Sequence, residues 1–174
     1  MTIDHQNAQQ ILVAGIGNIF FGDDGFGVEV ARTLVAGPLP PAVKVVDYGI
    51  RGLDLAYALL DPWKAIIFGD AIVRGGQPGA LYMLEPCLTD DRHGSPPDAH
   101  ALDPVQVIRC ARSMGEVRSP IYIVACEPVD FGEELEGRLG PSPEITAAIP
   151  EAVRMIHDLI ATISEVPVPA QAGL

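Results

Sequence analysis

Five short apolar runs, each bounded by turn residues, are the most regular feature of the sequence. They cover residues 11–14, 43–46, 65–68, 80–84 and 121–125. Most of them are rich in Ile or Val and lack an alternation of apolar and polar positions, which is typical of strands buried on both faces. The turn Gly-Gly-Gln-Pro-Gly at residues 75–79 predicts that the strand starting at Ala80 runs antiparallel at an edge of the sheet.

Between several of these runs, apolar residues recur at the spacing of a helix. The pattern predicts helices over residues 25–35, 53–60 and 103–114, and a long one that opens at Ser142 and Pro143. Asp103 and Pro104 are residue types favoured at an N-cap and at the first helical position. The long helix carries one apolar stripe, in which Pro150 predicts a kink or a split. The stripe consists of Ile145, Ala148, Ile149, Ala152, Val153, Ile156 and Ile160. Strands that alternate with helices predict an α/β fold with a mostly parallel sheet covered on both faces.

The length and composition indicate one globular domain. The chain has 174 residues, of which 48% are hydrophobic and 20% charged, and this is the range of an ordinary globular protein. We therefore expect a single domain over residues 1–174, with a polar leader at 1–9 and a flexible, uncharged tail at 166–174.

The charge and the cysteines exclude several classes of protein. Lys and Arg number 11 against 23 Asp and Glu, giving a net charge of −12, and such a chain repels a nucleic-acid backbone. No apolar run approaches the ~18 residues of a membrane span, and the first residues do not resemble a signal peptide. Three widely spaced cysteines fit neither a disulfide framework nor a zinc finger. We expect a cytoplasmic protein that binds neither nucleic acid nor membrane.

The richest motif is a glycine loop at residues 15–27, between the first strand and the first helix. It differs from a dinucleotide-binding loop because Phe20 occupies the third glycine position, and because Asp23 and Asp24 would repel a pyrophosphate. One of the two aspartates is expected to cap the helix. The other is expected to lie in the crevice at the carboxyl end of the strand, where open α/β sheets bind ligands.

Two further residues extend this candidate site. Asp70 follows the apolar run at 65–68, either as a turn residue or as a group held at the rim of the sheet, and His100 ends the loop at residues 86–99. His93, in the same loop, competes with His100 for the role. Two carboxylates and an imidazole would form an open site for a divalent transition metal, and they suit nickel or zinc better than magnesium.

In these motifs the sequence resembles the [NiFe]-hydrogenase maturation endopeptidases. Members of this family typically open with a segment like Ile-Leu-Val-Ala-Gly-Ile-Gly-Asn at residues 11–18, followed by Gly-Asp-Asp-Gly-x-Gly at 22–27. An Asp-Ala-Ile stretch ends their central strand, as at residues 70–72. A segment like Ser-Pro-x-His precedes a helix in the family, and residues 95–100 match it loosely. The resemblance covers about residues 11–160.

The resemblance implies a fold, an activity and a site. The fold is an αβα sandwich of three layers around a small twisted sheet of about five strands. The activity is nickel-dependent removal of the C-terminal extension from the hydrogenase large-subunit precursor, after nickel insertion, by a monomeric endopeptidase of aspartic or metal-dependent type. The family's three metal-contacting and catalytic positions fall on Asp24, Asp70 and His100. Nickel is then recognised in the precursor. Many members have Glu in place of Asp24, and the looser spacing near His100 keeps His93 as an alternative.

Two mechanisms and two other functions stay open at this point. The nickel or a site carboxylate activates water, or the three residues only recognise nickel and position the scissile bond. Either mechanism needs a neutral His100 and predicts loss of activity in mild acid. The alternative enzyme is a cysteine peptidase with Cys126 as nucleophile and His100 as base. The alternative without catalysis is a nickel-binding accessory protein for hydrogenase assembly.

Overall fold

One mixed sheet of five strands forms the centre of the protein. The computed structural model describes residues 7–86, 103–131 and 139–165. The strands are β1 (Ile11–Ile16), β2 (Val43–Gly49), β3 (Ala65–Ala71), β4 (Leu81–Leu84) and β5 (Ile121–Cys126). Their order is β2-β1-β3-β5-β4, and all neighbours are parallel except β4, which pairs antiparallel with β5 at the edge. The five predicted strands and the antiparallel edge are confirmed.

Four α-helices cover the two faces of the sheet. They are α1 (Phe26–Ala36), α2 (Gly52–Ala58), α3 (Pro104–Met114) and α4 (Pro143–Glu165). Helices α1 and α4 share a hydrophobic core with one face, and α2 and α3 share a second core with the other. This arrangement confirms the α/β sandwich of three layers.

Alternating side chains divide β1 and β3 between the two cores. Ile11 and Val13 pack on the side of α1 and α4, whereas Leu12 and Ala14 pack on the side of α2 and α3. Every residue of β1 and β3 is buried. This explains why the sequence of these central strands is apolar without alternation.

Two local signals in helices α3 and α4 have different outcomes. Asp103 caps α3 as predicted, because its Oδ1 accepts a hydrogen bond from the Val105 N–H at 2.9 Å. Helix α4 does not split at Pro150, which lies inside one continuous helix. Pro150 is exposed, so water can bond the carbonyl group that the proline leaves without an intrahelical partner. Apolar residues on both sides of Pro150 pack against the same core and hold the helix together.

The order in which strands are added to the sheet reverses at β1, because β2 lies on one side of it and β3 on the other. From β1 the chain passes through α1 to β2 on one side, and it then returns through α2 to β3 on the other side. In open α/β sheets, such a reversal leaves a crevice at the carboxyl ends of the two strands, where ligands bind. The loops that follow β1 and β3 border this crevice. In the described ranges, no helix combines the length and the apolar character that a membrane crossing requires.

Candidate active site

Asp24 and Asp70 lie at the same edge of the sheet. Asp24 belongs to a short 3-10 turn, Gly22–Gly25, between β1 and α1. Asp70 is the second-last residue of β3, opposite Ala125 of β5, and only 4% of it is exposed. Because β1 and β3 are parallel neighbours, the two aspartates meet at the carboxyl end of the sheet. Asp70 is therefore a buried strand residue and not the turn residue that one interpretation of the sequence allowed.

The two carboxylates repel each other. Burial is the main cause that raises the pKa of Asp70 well above its ordinary value, and the negative charges of Asp24 and Asp103 raise it further. Burial also raises the pKa of Asp24, although a hydrogen bond from the Asn18 N–H at 2.6 Å opposes this. Among the described residues, no Lys or Arg forms an ion pair with either carboxylate. A cation bound between them would relieve the repulsion.

Glycines let the turn that carries Asp24 approach the sheet. Gly17 has a φ of +123°, and a Cβ there would lie 1.7 Å from the Asp24 carbonyl oxygen. Gly27 packs on β3, where a Cβ would lie 1.9 Å from the Gly69 carbonyl oxygen. Only glycine permits contacts this close between backbone atoms. The glycine loop thus serves backbone packing next to the two acids.

The prediction that one of the paired aspartates caps the first helix is wrong. Gly25 occupies the N-cap of α1, and no side chain caps the helix or the 3-10 turn before it. Asp23 is fully buried, and its carboxylate accepts hydrogen bonds from the N–H groups of Val129 and Ser142 at 2.8 and 2.6 Å. Burial acts to raise the pKa of Asp23, but these bonds outweigh it and the pKa lies below its ordinary value. Asp23 is therefore a structural anion that joins segments far apart in the sequence.

Sequence reasoning missed two other acids at this edge. Glu127, which follows β5 and is 4% exposed, accepts hydrogen bonds from the Arg74 and Gly75 N–H groups and from the Tyr82 hydroxyl. These bonds outweigh its burial and hold its pKa below the ordinary value. Asp103 was recognised only as a cap, yet its charge acts on Asp70. An acid two positions after an apolar run was a usable signal for Glu127, as it was for Asp70.

Cys126 is a poor nucleophile in this structure. It ends β5, is fully buried, and has a thiol whose pKa is raised to about 12 by burial and by the charges of Asp23 and Glu127. A reactive cysteine needs a lowered pKa and access to solvent. The geometry therefore argues against a cysteine peptidase that uses Cys126.

His100 and His93 lie outside the described residues, as do most of the predicted loop at 86–99 and the predicted tail at 166–174. In the three described ranges, no group of three His, Cys, Asp or Glu side chains is arranged to hold a metal. The described part of the site is thus the carboxylate pair of Asp24 and Asp70, which can supply two oxygen ligands.

An open cleft of about 310 Å³ leads toward the glycine loop. It lies between the loops that follow β1 and β2, with Asn18 and Phe20 on one side and Tyr48 and Ile50 on the other. Phe20 and Ile50 are 60% and 63% exposed. Asp24 and Asp70 do not line this cleft, which lies on the β2 side of β1.

Comparisons of sequence and of structure all find similarity to proteins of hydrogenase maturation. The family model for hydrogenase maturation protease matches residues 28–159. The chain is 35% identical over 156 residues to the hydrogenase expression/formation protein HupD of Rhodobacter capsulatus, covering 86% of this chain and 72% of that protein. It is 28% identical to the hydrogenase 2 maturation protease of Escherichia coli, covering 84% and 88% of the two chains. The solved structure of the hydrogenase maturating endopeptidase HybD from E. coli superposes with a TM-score of 0.68 at 26% identity, covering 88% and 93%.

Proposed function

The chain belongs to the hydrogenase maturation protease family and is a peptidase, and on this premise we propose that it removes the C-terminal extension of a [NiFe]-hydrogenase large-subunit precursor after nickel insertion. The observation that carries this proposal is the pair of Asp24 and Asp70. Two acids are brought together at the carboxyl edge of the sheet, where their charges repel each other.

Nickel carried by the precursor is the cation that we propose for this pair. Carboxylate oxygens together with an imidazole are suitable nickel ligands. Asp24 and Asp70 supply the two carboxylates, and His100, which lies between β4 and α3 in the sequence, supplies the imidazole. Because the metal is already part of the precursor, its arrival at the two acids marks a substrate that has received nickel.

The free energy gained when a nickel-loaded precursor binds depends on the burial of Asp70. In the free protein, burial and the neighbouring acids raise the pKa of Asp70 and so disfavour its charged form. A divalent cation stabilises the charged form, so docking of a nickel-loaded precursor offsets the cost of charging Asp70 beside Asp24. A precursor without nickel offers no such gain. Discrimination between the two precursors therefore follows from the electrostatics of the pair.

Peptide hydrolysis then depends on how the scissile bond of the precursor is positioned relative to the two carboxylates. A precursor held by its nickel at Asp24 and Asp70 has a fixed segment of backbone next to the two carboxylates, and such positioning lowers the barrier to reaction. Water adds to the scissile carbonyl, the amide bond breaks, and the extension leaves with a new amino terminus.

The experiment is cleavage of a purified large-subunit precursor from the same source, prepared with and without nickel. Intact-mass spectrometry reads out the loss of a C-terminal peptide. We expect cleavage of the nickel-loaded precursor only. Equal cleavage of both precursors would remove nickel from the proposal. Binding of the nickel-loaded precursor without any cleavage would favour the accessory function instead.

A further inference from the structure

Two buried acids at the carboxyl edge, Asp23 and Glu127, have no role in the proposed chemistry. Each accepts several hydrogen bonds, whereas the described hydrogen bonds of Asp24 and Asp70 are one backbone N–H each, from Asn18 and Ala71. The carboxylates of Asp23 and Glu127 thus have their hydrogen-bonding capacity satisfied, as is typical of buried structural anions. Within the described ranges Asp24 and Asp70 have fewer donors, as expected of groups that bind a ligand.

Asp23 connects the turn that carries Asp24 to the segment that follows β5. We call residues 126–130, which are the last residue of β5 and the four that follow it, the post-β5 segment. The N–H groups of Val129 and Asp130 in this segment donate to Asp23 Oδ2 at 2.8 and 3.4 Å. Ser142, just before α4, adds its N–H at 2.6 Å and its hydroxyl at 3.1 Å. The neighbour of Asp24 in the chain is therefore fixed to two other elements of the fold.

Glu127 connects the same segment to the loop that follows Asp70. Its Oε2 accepts the Arg74 N–H at 2.9 Å and the Tyr82 hydroxyl at 3.0 Å, and its Oε1 accepts the Gly75 N–H at 2.9 Å. The Cys126 carbonyl accepts the Ile72 N–H at 2.9 Å. The chain immediately after Asp70 is therefore fixed to the post-β5 segment as well.

We propose that Asp23 and Glu127 are positioning residues, which set the relative placement of Asp24 and Asp70 by fixing both of their loops to the post-β5 segment. This inference rests on the proposed function for its consequence in catalysis, but not for its geometry. A site must hold its reacting groups to within about 0.5 Å, and supporting hydrogen bonds provide that precision.

Asp23→Asn and Ser142→Ala test the first connection. Asn replaces one acceptor oxygen by an NH₂ group that faces N–H donors, so it cannot keep all four hydrogen bonds. Ser142→Ala removes only the hydroxyl donor and leaves the Ser142 backbone bond, which makes it the gentler variant. Ser113→Ala is the matched control, since that hydroxyl bonds the Cys110 carbonyl on the exposed side of α3.

Tyr82→Phe tests the second connection by removing the hydroxyl that donates to Glu127. Its matched control is Tyr57→Phe, on the exposed side of α2. Two readouts are needed: amide hydrogen exchange in the free protein, followed by NMR, and cleavage of the nickel-loaded precursor with kcat and KM determined separately.

The Asn18 amide reports directly on Asp24, because it donates to the Asp24 carboxylate. In Asp23→Asn we expect protection of this amide to fall by about tenfold, while amides in the middle of β1 and β3 keep theirs. The kcat is expected to fall by about tenfold or more, and KM to change less than kcat. Ser142→Ala and Tyr82→Phe should also lower kcat, but by less than Asp23→Asn does. Both control variants should have the kcat of the wild type.

Unchanged Asn18 protection and unchanged kcat in the variants would overturn the inference, even if the melting temperature fell, since Asp23 and Glu127 would then serve stability alone. If Asp23→Asn does not fold, Ser142→Ala and Tyr82→Phe decide the outcome. Failure of the wild type to cleave any precursor would refute the proposed function, and the exchange at Asn18 would still test the geometry.

Discussion

Gly27, in the first turn of α1, lies so close to Gly69 of β3 that a Cβ on Gly27 would be 1.9 Å from the Gly69 carbonyl oxygen. The same Cβ would be 2.5 Å from the Ile16 carbonyl oxygen. Both neighbours are backbone atoms of central strands, so they cannot move away as a flexible side chain could. This contact packs the start of α1 against β3 at Gly69, the residue before Asp70.

Gly27→Ala is therefore expected to be severely destabilising, by about 3 kcal/mol or more, because the helix must move away from the sheet. Urea unfolding followed by circular dichroism measures the loss. Gly37→Ala, at the end of the same helix, is the matched control, since a Cβ there meets nothing closer than 3.7 Å. A Gly27→Ala variant as stable as Gly37→Ala would show that the contact is not as tight as described.

Asp70→Asn is expected to raise the melting temperature of the free protein at pH 7 by several degrees. The folded chain holds the Asp70 proton more tightly than the unfolded chain, because burial and nearby acids raise its pKa. The free energy of unfolding therefore falls as the pH rises above the ordinary aspartate pKa of about 3.9. A neutral Asn removes this cost, and a gain in stability on replacing a site residue is a known trade-off.

The gain from Asn should disappear below about pH 4, where Asp70 is protonated in both states. Scanning calorimetry at several pH values, with the exposed Asp54→Asn as control, measures both effects. A lower melting temperature for Asp70→Asn at pH 7 would mean that the charge of Asp70 is stabilised in the free protein.

Alkylation separates the peptidase proposed here from a cysteine peptidase. Cys126 is buried and its pKa is raised to about 12, so iodoacetamide should leave it unmodified in the folded protein and modify it after unfolding in urea. Peptide mapping by mass spectrometry identifies the modified cysteines. We expect precursor cleavage to stay within about twofold of the untreated protein. Loss of activity in step with Cys126 modification would restore the cysteine mechanism.

Histidine variants decide between His100 and His93. His100→Ala is expected to abolish precursor cleavage, and His93→Ala to leave it within about twofold of the wild type. Because an imidazole ligand must be neutral, cleavage should also decline as the pH falls through about 6.5. The opposite result for the two variants would transfer the role to His93. A flat pH profile from about 5 to 8 would exclude ligation by either histidine.

The sequence was sufficient for those features that depend on local signals. The five strands followed from apolar runs and flanking turns, and the cap of α3 followed from Asp103 and Pro104. Local geometry also placed Asp24 and Asp70 at one edge, because the carboxyl ends of parallel strands coincide.

Features that depend on contacts between residues far apart in the sequence could not be predicted from local patterns. The role of Asp23 as a buried structural anion, and not as a helix cap, depends on donors 106 and 119 residues away in the chain, which no local pattern contains. The continuity of α4 through Pro150 similarly depends on packing against the core and not on helix propensity. The hydrogen bonds of Glu127 could not be predicted either, because its donors, Arg74 and Gly75, lie 53 and 52 residues away.

The central claim is that Asp24 and Asp70 act together on nickel carried by the precursor. Its most direct test compares Asp24→Asn, Asp70→Asn and the exposed control Asp54→Asn in cleavage of nickel-loaded precursor, read by intact-mass spectrometry. We predict that both site variants fold but lose cleavage on the order of 100-fold or more, while Asp54→Asn cleaves like the wild type. Cleavage at the rate of the wild type by either site variant would contradict the claim.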